Sequence, residues 1–237
     1  MIDLLLIPGK YNKKIIIPDI IMDKIPKKII LFGSVQFLNQ LPEVEKQLES
    51  KGITAIMLKS KNFLYNGLIT DKGQLLGCNA ENFQEKDIEF DAFLYIGDGI
   101  FHPKALAVNN FKDIYCYNPR NDQLNVIKKE EHQMLEKRKK GNLIKFLSSK
   151  NIGILITTKV GQNSTKRAES LKKKIMEKWP EKKVFMFMAA EINFGELENF
   201  NFIDVYINSA CSRIGHDDTV RSEKTIVNIG DVEKMMK

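Results

Sequence analysis

The sequence predicts an α/β protein with two similar parallel-sheet domains. Three observations support this fold class. Short apolar runs without polar alternation recur along the chain, which is typical of strands buried on both faces of a parallel sheet. Helical patterns with apolar residues three and four positions apart lie between these runs, and a strand, helix, strand order favours a parallel sheet. The same order begins twice, at Lys27 and again at Asn151.

The first copy of this unit starts with a strand at residues 29–32 that ends in the loop GSVQF. A helix should follow, because Pro42 suits a first helical turn and Gly52 is placed to end the helix. Further strands are expected at residues 53–58 and 92–96, with a turn-forming loop between them. The apolar face of the helix is predicted to consist of Leu41, Val44 and Leu48.

The second copy starts with a strand from Asn151, followed by a loop that contains Gln162. Ser164 is a plausible N-cap for the next helix, and Pro180 lies just past its expected end. Strands should follow at residues 184–188 and 202–207. The inner face of this second helix is predicted to consist of Ala168, Leu171 and Ile175.

Two further segments complete the predicted organisation. Residues 124–149 look helical and highly charged, and should connect the copies with four apolar residues packed inward, namely Met134, Leu135, Leu143 and Leu147. Residues 1–27 contain apolar stretches at 4–7 and 15–17 that are too short for a core of their own. We interpret residues 1–27 as remnant strands of a missing N-terminal domain, residues 28–140 as the middle domain and residues 141–237 as the C-terminal domain.

Composition narrows the function classes. The chain has 37 basic and 30 acidic residues, a formal charge of +7, which favours acidic partners or anionic ligands. No stretch interleaves aromatic and basic residues, so no direct contact with nucleic acid is expected. The apolar stretches fall short of the roughly 20 residues of a membrane helix, and no signal peptide is readable, so we expect a cytoplasmic protein without membrane contact. In that compartment the three cysteines should be thiols or metal ligands.

Loops after strands are the natural places for a site, because open α/β sheets bind ligands at the carboxyl ends of their strands. Cys78 and Cys211 lie on two such loops, where each is either a metal ligand or a small buried apolar residue. Cys116 lies in a predicted strand and should be buried. Asp98 and His102 lie on a third loop, GDGIFHP, which lacks the spacing of a phosphate-binding P-loop.

Together and in order, the motifs resemble the diphthamide synthase family, the 2-(3-amino-3-carboxypropyl)histidine synthases, in a form similar to archaeal Dph2 but without its N-terminal domain. The resemblance runs from residue 4 to residue 232. The motifs that carry it are VQFLNQLPEV at 35–44, GQLLGCN at 73–79, FLYIGDGIFHP at 93–103, YNP at 117–119, TTKVGQ at 157–162 and NSACSRIGHDD at 208–218.

The resemblance implies three similar α/β domains, each giving one cysteine to a central 4Fe-4S cluster. S-adenosylmethionine would bind the open iron and be cleaved to a 3-amino-3-carboxypropyl radical, which attacks a histidine of translation elongation factor 2. Cys78 and Cys211 match the cluster cysteines of the middle and last domains. Gln36, Asp98 and Gln162 lie on loops that would line the site and are candidates for contacting the cofactor.

Three departures from the family pattern affect which function we expect of this chain. The Tyr-Gly-Ala-Cys motif of the N-terminal domain is absent, Ser212 replaces the usual proline after the last cysteine, and Cys116 matches no ligand position. We therefore expect a transferase component that is completed by a companion chain with the missing domain, or by a homo- or heterodimer. The apolar residues at 4–7 and 15–17 would be the surface that the companion covers.

Two other functions stay open from the sequence. The chain could be a non-catalytic scaffold subunit that binds a catalytic paralogue and the elongation factor. From the α/β loops alone, it could also be a nucleotide-binding protein unrelated to iron.

Overall fold

The first sheet has five strands in the order β2, β1, β3, β4, β5. The computed structural model describes residues 9–59, 71–77, 81–159, 162–215 and 222–237. Neighbouring strands from β2 to β4 are parallel, whereas β5 pairs antiparallel with β4, so the first sheet is mixed at this edge. The strands are β1 (Lys28–Gly33), β2 (Thr54–Met57), β3 (Ala92–Ile96), β4 (Ile114–Asn118) and β5 (Gln123–Ile127).

The second sheet has four strands, all parallel, in the order β7, β6, β8, β9. In both sheets the chain first adds a strand on one side of the opening strand and then crosses to the other side. The reversal lies between β1 and β3 in the first sheet and between β6 and β8 in the second. These strands are β6 (Asn151–Thr157), β7 (Lys183–Ala189), β8 (Val205–Asn208) and β9 (Ile226–Asn228).

Helices α2 (Leu41–Ser50) and α4 (Thr165–Lys178) confirm the expected amphipathic faces. Leu41, Val44 and Leu48 are buried against the first sheet, and Ala168, Leu171 and Ile175 are buried in the core of the second. The shorter helices are α1 (Asp19–Met22), α5 (Phe194–Leu197) and α6 (Ile229–Met236). None of the helices within the described ranges is both long and apolar enough to cross a membrane.

The segment before β1 differs from its expected form. Residues 15–17 form no strand, because their backbone bonds to glutamine side chains of the neighbouring helical segment instead of to a sheet. The Ile15 amide donates to Gln40 Oε1 at 3.0 Å, and Gln47 accepts from the Ile17 amide and donates to the Ile15 carbonyl. The expected strand at residues 4–7 lies outside the described residues.

The apolar surface expected at residues 15–17 is therefore largely absent. Ile15 and Ile17 are 2% and 1% exposed and belong to the core of the first sheet, and only Ile16 points to solvent, at 66% exposure. This stretch is part of the first unit's own packing. It leaves one isoleucine side chain, rather than an apolar face, for any partner to cover.

The connector between the sheets is a strand followed by one long helix, α3 (Lys129–Ser148). The expectation of helix from residue 124 is wrong at its start, since β5 extends to Ile127. Met134 and Leu147 are largely exposed, and Phe146, not singled out from the sequence, is the fully buried residue of the C-terminal turns. Contacts divide the chain into two units between Met134 and Leu135, within this helix.

Candidate functional site

Both sheets place polar side chains at the carboxyl ends of the strands where the strand order reverses. In the first sheet, Ser34 and Gln36 follow β1 and Asp98 follows β3, its direct neighbour. In the second sheet, Gln162 follows β6 and Cys211 follows β8. Such reversal points open a crevice beyond the strand ends, where α/β proteins bind their ligands. Four of the sequence candidates thus follow strand ends at these two edges, Gln36 and Asp98 in the first unit and Gln162 and Cys211 in the second.

Tyr95 places a buried hydroxyl at the first of these edges. Its residue is 0% exposed, and a methyl group at Gly97 would come within 2.6 Å of the hydroxyl, so only glycine allows the ring to lie against the end of β3. Burial raises the pKa of the phenol, Asp98 and Cys116 raise it further, and the Ser34 hydroxyl opposes the rise. The phenol therefore stays protonated at neutral pH and can donate a hydrogen bond.

Three side-chain oxygens at this edge are shielded from solvent and have no hydrogen-bond partner among the residues that the structure describes. They are Ser34 Oγ, Gln36 Oε1 and Tyr95 Oη. The Ser34 and Tyr95 hydroxyls nevertheless lie within reach of each other, since a side-chain hydrogen bond from Ser34 lowers the pKa of the Tyr95 phenol against the effect of burial. Buried polar groups in proteins are nearly always bonded, so this local concentration requires an explanation.

Charged and aromatic groups border these oxygens. Asp98 pairs with Arg120 Nε at 3.3 Å, and both side chains are partly exposed. The His102 ring stacks on the Tyr95 ring with 6.4 Å between centroids. Asp98 and His102, both noted on the GDGIFHP loop, thus lie near Tyr95, as does Ser34.

The segment that leads to Cys78 is anchored at the same strand end. The Gly33 amide donates to the Gly73 carbonyl at 2.8 Å, and the Leu75 amide donates back to the Gly33 carbonyl at 3.0 Å. This pairing continues the sheet for one residue, at Gln74. Cys78 itself lies outside the described residues.

Two buried asparagines fix the loop that carries Cys211. Asn208 Nδ2 donates to the Cys211 carbonyl and to Asn228 Oδ1, both at 2.8 Å, and its Oδ1 accepts from the Ala210 amide. Asn228 donates in turn to the Ser212 carbonyl at 2.9 Å. These bonds hold the backbone on both sides of Cys211, whose thiol is half-buried and forms no disulfide.

Gln162 and Ser164 lie at the neighbouring strand end of the second unit. The Gln162 amide donates to the Lys159 carbonyl, and its side chain is partly exposed. Ser164 precedes α4 as expected, but its hydroxyl does not cap the helix. It donates instead to the carbonyl of Ser209, whose own hydroxyl bonds to Leu155. The two strand ends are therefore tied together next to Cys211.

Cys116 is buried in a strand, as expected. It lies in the middle of β4, is 3% exposed, and burial raises the pKa of its thiol to about 12. Across the described stretches, no three His, Cys, Asp or Glu side chains are grouped so that they could hold a metal ion.

Sequence reasoning missed several residues of these edges. Tyr95 reads as one more apolar residue of a buried strand, and Asn228 belongs to a strand that the sequence did not predict. The polar atoms of Tyr95 and Asn228 indicate a role at the strand ends only once the residues around them are known. The pattern Tyr-Ile-Gly-Asp at 95–98, a tyrosine two residues before a glycine at a strand end, was the one available signal for Tyr95.

The sequence of this chain is similar to those of known proteins. A sequence model of the family described as “Putative diphthamide synthesis protein” matches residues 11–237. The chain is 28% identical over 213 residues to the 2-(3-amino-3-carboxypropyl)histidine synthase of Pyrococcus horikoshii, covering 90% of this chain and 58% of that protein. It is 27% identical to 2-(3-amino-3-carboxypropyl)histidine synthase subunit 1 of Kluyveromyces lactis, covering 80% of this chain and 43% of that protein.

Solved structures show the same fold. The crystal structure of Dph2 from Pyrococcus horikoshii matches 91% of this chain and 59% of that chain, with a TM-score of 0.70 and 26% identity. The structure of Dph2 from Pyrococcus horikoshii with a 4Fe-4S cluster matches with a TM-score of 0.67 and 25% identity, covering 91% of this chain and 58% of that chain. The chain therefore spans less than two thirds of the length of these relatives.

Proposed function

Because this chain belongs to the diphthamide synthesis protein family, we propose that it is part of an enzyme that transfers a 3-amino-3-carboxypropyl group to a histidine side chain. The names of its relatives support this reaction. We propose S-adenosylmethionine as the donor and translation elongation factor 2 as the acceptor, which makes the reaction the first step of diphthamide biosynthesis. The activity is proposed for the assembly or longer polypeptide to which these 237 residues contribute.

The proposed cofactor is a 4Fe-4S cluster, which is bound in one solved structure of Dph2. The residues present fit part of its ligand set. Cys211 offers a free, half-buried thiol at a strand end, and Cys78 follows the motif that the family uses for a second ligand. The third thiolate would come from outside these residues, either on a companion chain or on further sequence of the same polypeptide.

The contrast between Cys211 and Cys116 is the observation that carries this proposal. A cluster ligand must be a thiolate that an iron atom can reach, and its loop must hold its position when three such groups from different domains converge. The hydrogen bonds of Asn208 and Asn228 to the Cys211 loop and the partial exposure of Cys211 support this role, whereas Cys116 is enclosed in a strand.

Apart from ligating the cluster, the chain would bind and orient the co-substrate. When bound, a cluster with one iron free of cysteine supplies the electron and the open coordination position for cleaving S-adenosylmethionine. The second unit would hold the loop of Cys211 through the asparagine hydrogen bonds to its backbone. The first unit offers hydrogen-bonding and charged groups at its own strand ends, where a co-substrate can be positioned.

The test is to purify the chain without oxygen, alone and mixed with a companion domain that bears the Tyr-Gly-Ala-Cys motif, and to reconstitute both with iron and sulfide. Iron content and the transfer of labelled 3-amino-3-carboxypropyl from S-adenosylmethionine to elongation factor 2 are measured. Only the mixture should hold a full cluster and catalyse transfer. Cys78→Ala and Cys211→Ala should each abolish both properties, and the matched control Cys116→Ala should leave both intact.

Two results would count against the proposal in different ways. If the lone chain holds a full cluster and modifies the factor at the rate of the mixture, no third ligand is required from elsewhere. If the mixture binds the factor but holds no iron, the scaffold function is favoured over the transferase.

A further inference from the structure

A groove with a volume of about 510 Å³ lies between helices α4 and α6 of the second unit. This volume falls within the range of about 300–1,000 Å³ that is typical of binding clefts. The floor of the α4–α6 groove is apolar, with the buried Leu171 from α4 and the partly buried Met236 from α6. Its rim is charged and consists of Lys174, Glu177, Lys178, Glu233 and Lys237.

The rim carries an excess of positive charge once its ion pairs are taken into account. Arg167 donates to both carboxylate oxygens of Glu233, with the shortest N–O distance at 2.6 Å, so that Glu233 is neutralised. Within the part of the chain that the structure describes, the three rim lysines form no ion pair with a carboxylate. Glu177 is then the one rim carboxylate that stands against these three positive charges.

Helix α4 as a whole has the same basic character. Its 14 residues include six basic and two acidic side chains. A lysine in the last turn stabilises the helix itself by interacting with the helix dipole, which accounts for Lys178. Lys174 lies a turn earlier, is exposed, and has no such effect to explain it. A surface of this charge attracts acidic partners.

The floor of the groove narrows the class of partner. Leu171 and Met236 offer aliphatic surface, and methionine packs adaptably against other aliphatic side chains. Single-stranded nucleic acid, the other common acidic partner, binds by stacking its bases on aromatic rings, and none of the described residues of the lining is aromatic. Grooves between helices commonly accept one face of an amphipathic helix, whose anchor residues are three and four positions apart. An acidic helix with an aliphatic face therefore matches both the floor and the rim.

We propose that the α4–α6 groove is a docking site for an acidic amphipathic helix of a partner protein. Aliphatic side chains of that helix pack on Leu171 and Met236, and its carboxylates pair with the lysines of the rim. The site is separate from the Cys211 loop, because Ser164 at the start of α4 bonds to Ser209 near that loop, whereas Lys178 lies about 20 Å further along the helix. Docking thus leaves the cysteine edge of the second unit open.

The test measures the binding of synthetic peptides to the full chain by fluorescence anisotropy. The probe is a peptide helix of about 15 residues, with leucine on one face and glutamate on the others. One control peptide has glutamine in place of every glutamate, and a second has alanine in place of every leucine. Only the parent peptide should bind tightly. Raising the salt concentration from about 0.05 M to about 0.5 M should weaken its binding at least fivefold, because salt screens exposed charges.

Two charge reversals on α4 separate the groove from general attraction. Lys174→Glu puts a negative charge on the rim and should weaken binding of the parent peptide by about fivefold or more. The matched control is Lys173→Glu, which changes the net charge equally at an exposed residue outside the groove, and it should weaken binding by less than about twofold. Both variants should melt at the wild-type temperature, as measured by circular dichroism, because both side chains are exposed.

Three results would overturn the proposal. Equal weakening by the two charge reversals, or tight binding of the peptide that lacks leucine, would show attraction without a groove. Tighter binding of a single-stranded RNA than of the parent peptide, again weakened by Lys174→Glu, would make the surface a nucleic-acid site. Salt-sensitive self-association without any peptide, abolished by Lys174→Glu, would make a second copy of this chain the occupant. None of these measurements involves iron or S-adenosylmethionine, so the docking site and the proposed function are tested independently.

Discussion

At the scale of single residues, Cys116 and Cys211 differ in how readily their thiols can react. Burial raises the pKa of the Cys116 thiol to about 12, so that its reactive thiolate is present only in strongly alkaline solution. Cys211 lies on a loop, and part of its surface is open to solvent. Both alkylation and metal binding require a reachable thiolate, so these environments favour Cys211 for both.

Alkylation of the folded chain should reflect this difference. We expect iodoacetamide at pH 8 to modify Cys211 and to leave Cys116 unmodified, and raising the pH to 10 should not bring Cys116 into reaction because its pKa lies higher still. Peptide mass spectrometry after quenching measures both sites. The denatured chain, in which both cysteines should react, is the control, and comparable labelling of the two thiols in the folded chain would refute the assignment.

At the scale of elements, the segment before β1 and helix α2 form one packed unit. Gln40 and Gln47 provide side-chain hydrogen bonds to the backbone of residues 15–17, which has no neighbouring strand assigned to it. Ile15 and Ile17 then turn inward to the core of the first sheet. Since bonded backbone groups can be buried at little cost, the glutamines make this irregular stretch compatible with a buried position.

Adjacent isoleucines in this segment should differ sharply in their contribution to stability. Ile17→Ala should lower the free energy of unfolding by about 2–4 kcal/mol, because it leaves a cavity in the core. Ile16→Ala is the matched control and should change it by less than about 0.5 kcal/mol, because that side chain is largely in solvent. Urea denaturation followed by circular dichroism measures both, and equal losses would contradict this packing.

At the scale of the whole molecule, the chain consists of two units with separate cores. One core is formed by the first sheet with α2 and the preceding segment, and the other by the second sheet with α4 and α6. The units divide within α3, whose Phe146 belongs to the second core. Each unit has its own reversal of strand order, which is where open α/β sheets generally bind ligands.

Hydrogen exchange should report these units separately. We expect Ile17→Ala to speed amide exchange in β1 to β4 and to leave β6 to β9 unchanged, since local stability follows the contacts of each core. Ile156→Ala, which truncates a fully buried residue of β6, should have the converse effect. Exchange measured by mass spectrometry on both variants tests this, and faster exchange throughout the chain in either variant would show that the units unfold together.

The sequence by itself determined the elements whose signal is local. The bounds of β3 and the inner faces of α2 and α4 agree with the predictions, because periodicity within one segment reflects which side of that segment is buried. The motif order likewise predicted the family, which the comparisons confirm. The assignment of Cys78 and Cys211 as cluster ligands stays a prediction.

Only the tertiary structure decided properties that depend on residues far apart in sequence. The antiparallel pairing of β5, the burial of Phe146 in place of Met134 and Leu147, and the two asparagines around Cys211 all arise between distant segments. The burial of the Tyr95 hydroxyl beside Ser34 is of the same kind. Burial and hydrogen-bond satisfaction are properties of a packed environment, and a residue's neighbours in sequence supply only a small part of that environment.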